Sequence, residues 1–130
     1  MVALMALMLS IVAPHQVPQP TPEQIIGAAV LVDLDQRAIA GDTNAAQVLI
    51  NVVFPDDRAW ALKVAKRESG FRCTARNPHS SASGLFQLMA IHEPRAARMG
   101  YEWQDIKTSC LANLDVARAL YDEQGHTPWN

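Results

Sequence analysis

Apolar positions along this chain recur mostly at helical spacing, broken by stretches of turn-forming residues. Thr21-Pro22-Glu23-Gln24 reads as a helix start, with Thr as cap, Pro at the first helical position and Gln three residues after the cap. The next stretch, Ile25 to Leu34, is apolar enough to be buried. Val30 to Asp35 also alternates like a strand, so both readings stay open there. A second helix is expected over Asn44 to Phe54, begun by Asp42-Thr43-Asn44 and ended by Pro55. A third begins after Asp56 or Asp57 as its cap and runs to Ser69, where Gly70 can take the left-handed conformation that closes a helix. Residues 71 to 92 are rich in Ser, Asn, Pro and Gly, with Leu85, Phe86 and Leu88 inserted. They read as an irregular loop whose apolar residues enter the core while polar ones line a cleft. Pro94 opens a short helix ending at Gly100. Leu111, Leu114, Ala117 and Leu120 form the stripe of a last helix closed by Gly125. The expected fold is mainly α, with at most a small β-hairpin, and it has no internal repeat.

Composition narrows this only a little. The chain has 130 residues, which suits one domain with a modest core, and a hydrophobic fraction of 49% is ordinary for a globular protein. A net charge of −2, with no run of either sign, leaves no electrostatic footprint for nucleic acid. Residues 1 to 13 are apolar throughout. That run is shorter than the roughly 20 residues a membrane span needs, and it has the length of a signal-peptide core but lacks a basic start. Export, a truncated signal and an N-terminal helix packed on the domain all fit it. Prolines at 14, 18, 20 and 22 make the following stretch an extended linker, so residues 1–22 stand apart from a domain over residues 23–130. No pair of ligands has Cys-x-x-Cys or His-x-x-x-His spacing, so neither a metal nor another cofactor is expected.

Glu68 is the residue with candidate chemistry. Ala61, Val64 and Ala65 lie seven, four and three positions before it and share its helical face. A carboxyl facing such a stripe is partly desolvated, which favours its neutral form. A protonated acid beside a cleft can protonate a leaving oxygen. The bland alternative is a solvated glutamate near a helix end.

The motifs around Glu68 favour the first reading. In order they are Glu68-Ser69-Gly70-Phe71, Ala75-Arg76-Asn77, Gly84-Leu85-Phe86-Gln87, Gly100-Tyr101, Asn113 with Ala117, and Pro128-Trp129. Over residues 53–129 the chain resembles the lysozyme-like domain of soluble lytic transglycosylases, particularly the short secreted and phage-borne type. It departs from their pattern at Cys73, at Ser109-Cys110 and at His126, where that family often has a Pro, an Asp-Pro and a Trp.

The resemblance implies a lysozyme-like α+β domain whose catalytic acid is Glu68. It implies substrate contacts at Ser69, Gly84, Leu85, Phe86, Gln87 and Tyr121, with Asn113 as a structural brace for the loop. Cys73 and Cys110 both sit beside motif residues, and an even count in an extracellular enzyme suggests that they form a disulfide. The implied partner is peptidoglycan, cut between MurNAc and GlcNAc by a monomer that is secreted, envelope-associated or phage-borne. No acidic residue lies between Glu68 and Glu93, whereas a glycoside hydrolase usually needs a second carboxylate. The family dispenses with one, because the sugar's own 6-hydroxyl attacks and leaves a 1,6-anhydro ring. Asp105, Asp115 and Asp122 stay open as carboxylates that folding brings near. A water-using muramidase on the same fold is therefore the first alternative, and a non-catalytic peptidoglycan-binding module the second. Trp60, Trp103 and Trp129 are either sugar platforms or packing, and the histidines at 79, 92 and 126 are expected to be solvated.

Overall fold

The computed structural model describes residues 18–130. The expectations for residues 1 to 13 and for most of the proline-rich linker lie outside the described residues. Among the described residues six α-helices follow one another: α1 (Pro22–Ile39), α2 (Thr43–Val53), α3 (Arg58–Ser69), α4 (Glu93–Arg98), α5 (Trp103–Thr108) and α6 (Cys110–Gln124). Single 3-10 turns occupy Ala90–His92 and Thr127–Trp129. Between α3 and α4 runs an irregular loop with two isolated antiparallel bridges, Arg76 to Ser83 and Ser83 to Leu88. The mainly helical expectation holds, and the hairpin is reduced to those two bridges.

The helix starts follow their caps. Thr21 and Gln24 form a reciprocal capping box, with backbone-to-side-chain bonds of 2.8 and 3.1 Å. Asp42 Oδ1 accepts from the amides of Asn44 and Ala45 at 3.0 and 3.1 Å. At α6, Ser109 Oγ accepts from Ala112 N, while Asp35, reaching across from α1, accepts from Leu111 N at 2.9 Å and from Ser109 Oγ at 2.7 Å. A carboxylate at that position also suits the positive end of the helix dipole. Asp57 does occupy the cap position of α3, but its carboxylate bonds Tyr121 and His126 instead of α3 amides.

Two expectations need correction. Residues 30–35, open between helix and strand in the sequence, are helical, and most apolar side chains of residues 25–34 are not buried. Ile25 and Val32 are each 55% exposed and Ile39 38%, and at seven-residue spacing they form one outward stripe. Ile26 and Val30 are exposed too, so Leu34 and Ala38 are the α1 residues that enter the core. The reason is partnership. Nothing in the described chain packs on the outer side of α1. The second correction is α5, which the apolar pattern did not reveal. Its start is fixed by a box in which Glu102 N donates to Asp105 Oδ2 at 3.0 Å.

α6 is the central element. Leu114, Val116, Ala117 and Leu120 are buried against a core that includes Leu49 and Ile50 of α2 and Ala61, Val64 and Ala65 of α3. Asn113 is fully buried among them. Its Oδ1 accepts from Phe86 N at 2.9 Å, and its Nδ2 donates to Ser83 O at 3.1 Å and Ile106 O at 3.0 Å. One amide thus holds the irregular loop and the end of α5. Cys73 and Cys110 form a disulfide, tying the stretch after α3 to the first residue of α6. It closes a span of 37 residues. By loop entropy that contributes about 3–4 kcal/mol.

Asn113→Ala is expected to leave the buried Phe86 amide and the Ile106 carbonyl without a partner, at about 1–3 kcal/mol each, while Ser83 O keeps its bond from Leu88 N. Urea unfolding should show a lowered midpoint, with a loss of about 2 kcal/mol or more and little change in slope.

Candidate active site

α3 brings Glu68 to its last turn and then stops. Gly70 takes φ 62°, and its amide caps Lys66 O at 3.0 Å. Phe71 follows at φ 63°, in the same left-handed region. The reversal leaves Glu68 at the edge of the packed face, its side chain 30% exposed, above the buried Ala61, Val64 and Ala65.

Glu68 borders a cleft of about 270 Å³, whose far side is the irregular loop and whose end is the C-terminal turn. Asn77, Ser80 and Gln87 supply polar wall, Leu88, Met89 and Leu120 apolar wall, and Pro128 with Trp129 close one end. His92 also lines it, at the foot of α4. It is half-buried rather than solvated. Desolvation, followed by the nearby Arg95, holds its imidazole below the ordinary histidine pKa, with Glu123 opposing.

Of the residues the sequence singled out, Glu68 and Gln87 meet in this cleft. Gln87 sits at φ 50°, a conformation that costs a non-glycine residue about 1 kcal/mol or more and marks a site held by its surroundings. Its Nε2 donates to Ala75 O at 3.0 Å and Gly84 O at 2.9 Å, so the amide carbonyl is the group left for a ligand. Gly84 serves the core. A Cβ there would lie 2.3 Å from Asn113 Nδ2 and 2.6 Å from Ile106 O, so only glycine lets the brace reach the loop. Leu85 and Phe86 are fully buried, with Phe86 stacked on Phe54 at 5.4 Å and edge-on to Trp129 at 5.7 Å. Ser69 is buried, and its hydroxyl donates to Ala65 O at 2.9 Å. Tyr121 lies beside the aromatic cluster and donates to Asp57 Oδ2 at 2.8 Å.

The aromatic cluster explains how the end wall is held. Trp129 is buried, and its Nε1 donates to Phe86 O at 3.2 Å. Trp60 lies edge-on to Trp129 and stacks on His126 at 4.3 Å. His126 Nε2 is 2.7 Å from Asp57 Oδ2. That pairing, and then the Tyr121 hydroxyl, holds the Asp57 carboxyl below its usual range. His126 therefore fixes the C-terminal turn to α3, a role the sequence pattern did not suggest.

The carboxylates that the sequence left open as second acids are occupied elsewhere, as is Glu123. Asp115 accepts from Tyr101, Asp122 pairs with Arg118 at 2.9 Å, and Glu123 pairs with Arg95. Asp105 borders a separate hollow of about 420 Å³ with Asp35, where both carboxylates already cap helices. Glu68 is the one acidic residue among those lining the cleft. Among the described residues no group of three His, Cys, Asp or Glu side chains is arranged to hold a metal ion.

These features define a helical domain built round a cleft with a single acid. The family of the transglycosylase SLT domain matches residues 54–125. The chain belongs to that family. It is also 35% identical over 72 residues to probable transglycosylase SceD 2 of Staphylococcus saprophyticus, an alignment that covers 55% of this chain and 29% of that protein. The chain thus spans less than a third of that relative's length. No solved structure matches the chain significantly.

The sign for Asp57 is that of a depressed acid. Its folded value lies below 3.8, so its stabilising effect is complete above 3.8 and disappears as pH falls through the lowered folded value. Thermal melts of wild type and Asp57→Asn should differ near neutral pH and converge at strongly acid pH.

Proposed function

We propose that the protein is a lytic transglycosylase acting on peptidoglycan, in which Glu68 serves as both general acid and general base at the MurNAc–GlcNAc β-1,4 bond. The observation that carries this reading is the lone acid in the cleft. An inverting hydrolase needs a second carboxylate about 6.5–9.5 Å away to activate water, and a retaining one needs a nucleophile at about 5–5.5 Å. Asp105, Asp115 and Asp122 line no part of the cleft. A reaction in which the sugar supplies its own nucleophile requires one protein acid.

In that reaction the Glu68 carboxyl gives its proton to the glycosidic oxygen as the bond to the anomeric carbon breaks. The carboxylate then takes the proton of the C6 hydroxyl as its oxygen joins the anomeric carbon, closing a 1,6-anhydro ring. No water is consumed, and Glu68 ends as it began. The Gln87 amide carbonyl can accept from a sugar hydroxyl or N-acetyl N–H on the facing wall. Trp129 gives an apolar end wall against which a sugar face can rest. Family membership and the transglycosylase named among its relatives support this chemistry over that of a binding module. The Cys73–Cys110 disulfide favours action outside the reducing cytoplasm, in keeping with export to the wall.

Glu68→Gln is expected to lower turnover by about 10²–10⁴-fold while leaving binding to purified peptidoglycan intact. Mass spectrometry of the sugars released by wild type should show products one water lighter than hydrolysed fragments. Hydrated reducing ends would assign the attack to water instead.

A further inference from the structure

Arg67 precedes the acid, and no sequence pattern marks it. Neighbouring helical residues point about 100° apart and do not normally meet. Here they do. Arg67 Nη2 donates to Glu68 Oε1 at 3.0 Å and to the Trp129 carbonyl at 2.6 Å. Most exposed ion pairs contribute little, because both long side chains remain free to move. Arg67 is itself 53% exposed, but this pair has an anchor. The carbonyl belongs to a residue only 7% exposed, whose indole is bonded to Phe86 O. Phe86 N is in turn bonded to the buried Asn113. The guanidinium is thus fixed to the packed interior, and through it so is one oxygen of Glu68. The other oxygen, Oε2, has no protein hydrogen-bond partner among the described residues.

We propose that Arg67 is a positioning residue for the reaction: it holds Glu68 by Oε1 against the C-terminal turn and turns Oε2 to the glycosidic oxygen. This rests on the reading of Glu68 as general acid and base. When the proton leaves Glu68, the bond electrons stay on the carboxylate, and Arg67 is the fixed cation beside the charge that forms. The bond is charge-assisted from the start by the guanidinium, and it strengthens when its acceptor also becomes charged. Arg67 keeps its own protons throughout. It also limits where Glu68 can swing between donating one proton and collecting the next.

The test compares wild type, Arg67→Gln, Arg67→Ala, Arg67→Lys and Glu68→Gln on purified peptidoglycan, with thermal melts of each. Arg67→Gln and Arg67→Ala are expected to stay folded and lose about ten- to a hundredfold in kcat, with KM little changed. Arg67→Lys should recover part of the loss. Free guanidinium ion, at a concentration too low to unfold the protein, should raise the rate of Arg67→Ala and leave Glu68→Gln unaffected. Wild-type kcat in Arg67→Gln overturns the proposal. So does a loss that follows the unfolded fraction and shows no guanidinium rescue, which would make Arg67 only a strut for the turn. An active Glu68→Gln protein would remove the general-acid reading itself, and the proposal with it.

Discussion

The cleft depends on one buried amide. Asn113 is fully enclosed by apolar side chains of α6 and the core, a place where an unpaired polar group is costly. It is nevertheless satisfied on both sides, by Phe86 N on one and by the carbonyls of Ser83 and Ile106 on the other. The loop over residues 71–92 has almost no ladder of its own, so these bonds do for it what a sheet would do. Gly84 is the other half of the device, since any side chain there would collide with the amide. The disulfide reinforces the same junction from the α6 end.

From Asn113 a continuous set of bonds reaches the acid. Phe86 is gripped at its amide by Asn113 and at its carbonyl by the Trp129 indole, and the Trp129 carbonyl holds Arg67. Phe86 is therefore a hinge of rigidity between loop and C-terminal turn rather than a surface for sugar. Among the described residues, the two non-glycine residues at positive φ, Phe71 and Gln87, lie just after the acid and on the facing wall. Backbone of that kind persists where the surroundings over-determine it. The cleft walls are held in place from the interior, which suits the proposed reaction, in which one carboxyl meets two different oxygens in turn.

Much of this was legible in the sequence, and the reason is local. Thr21 with Gln24, Asp42, Gly70, Pro94 and Gly125 act on their own few neighbours, so they marked helix ends correctly. Cys73 and Cys110 were read as a pair from their places beside motif residues. What could not be read depended on partners far along the chain. Ile25 and Val32 look buried by composition, but no element of the described chain covers their side of α1. His92 looks like a surface residue until α4 is set against the loop, and Arg67 acquires a role only once Trp129 arrives from 62 positions away. Within α5, the Glu102–Asp105 box was present in the sequence but lay in a segment with too few apolar repeats to draw notice.

A single acid places a stricter demand on geometry than a pair does. With two carboxylates, the task of guiding a nucleophile and that of protonating a leaving group fall to different side chains, each fixed for one purpose. In the proposed reaction one carboxyl does both, which asks the protein to restrain the side chain without locking it. The proposed role of Arg67 fits that demand, since a guanidinium on one oxygen fixes the pivot and leaves the second oxygen to move. Glu68, with its side chain 30% exposed, meets the cleft from the edge of the packed face, held at one oxygen and open at the other.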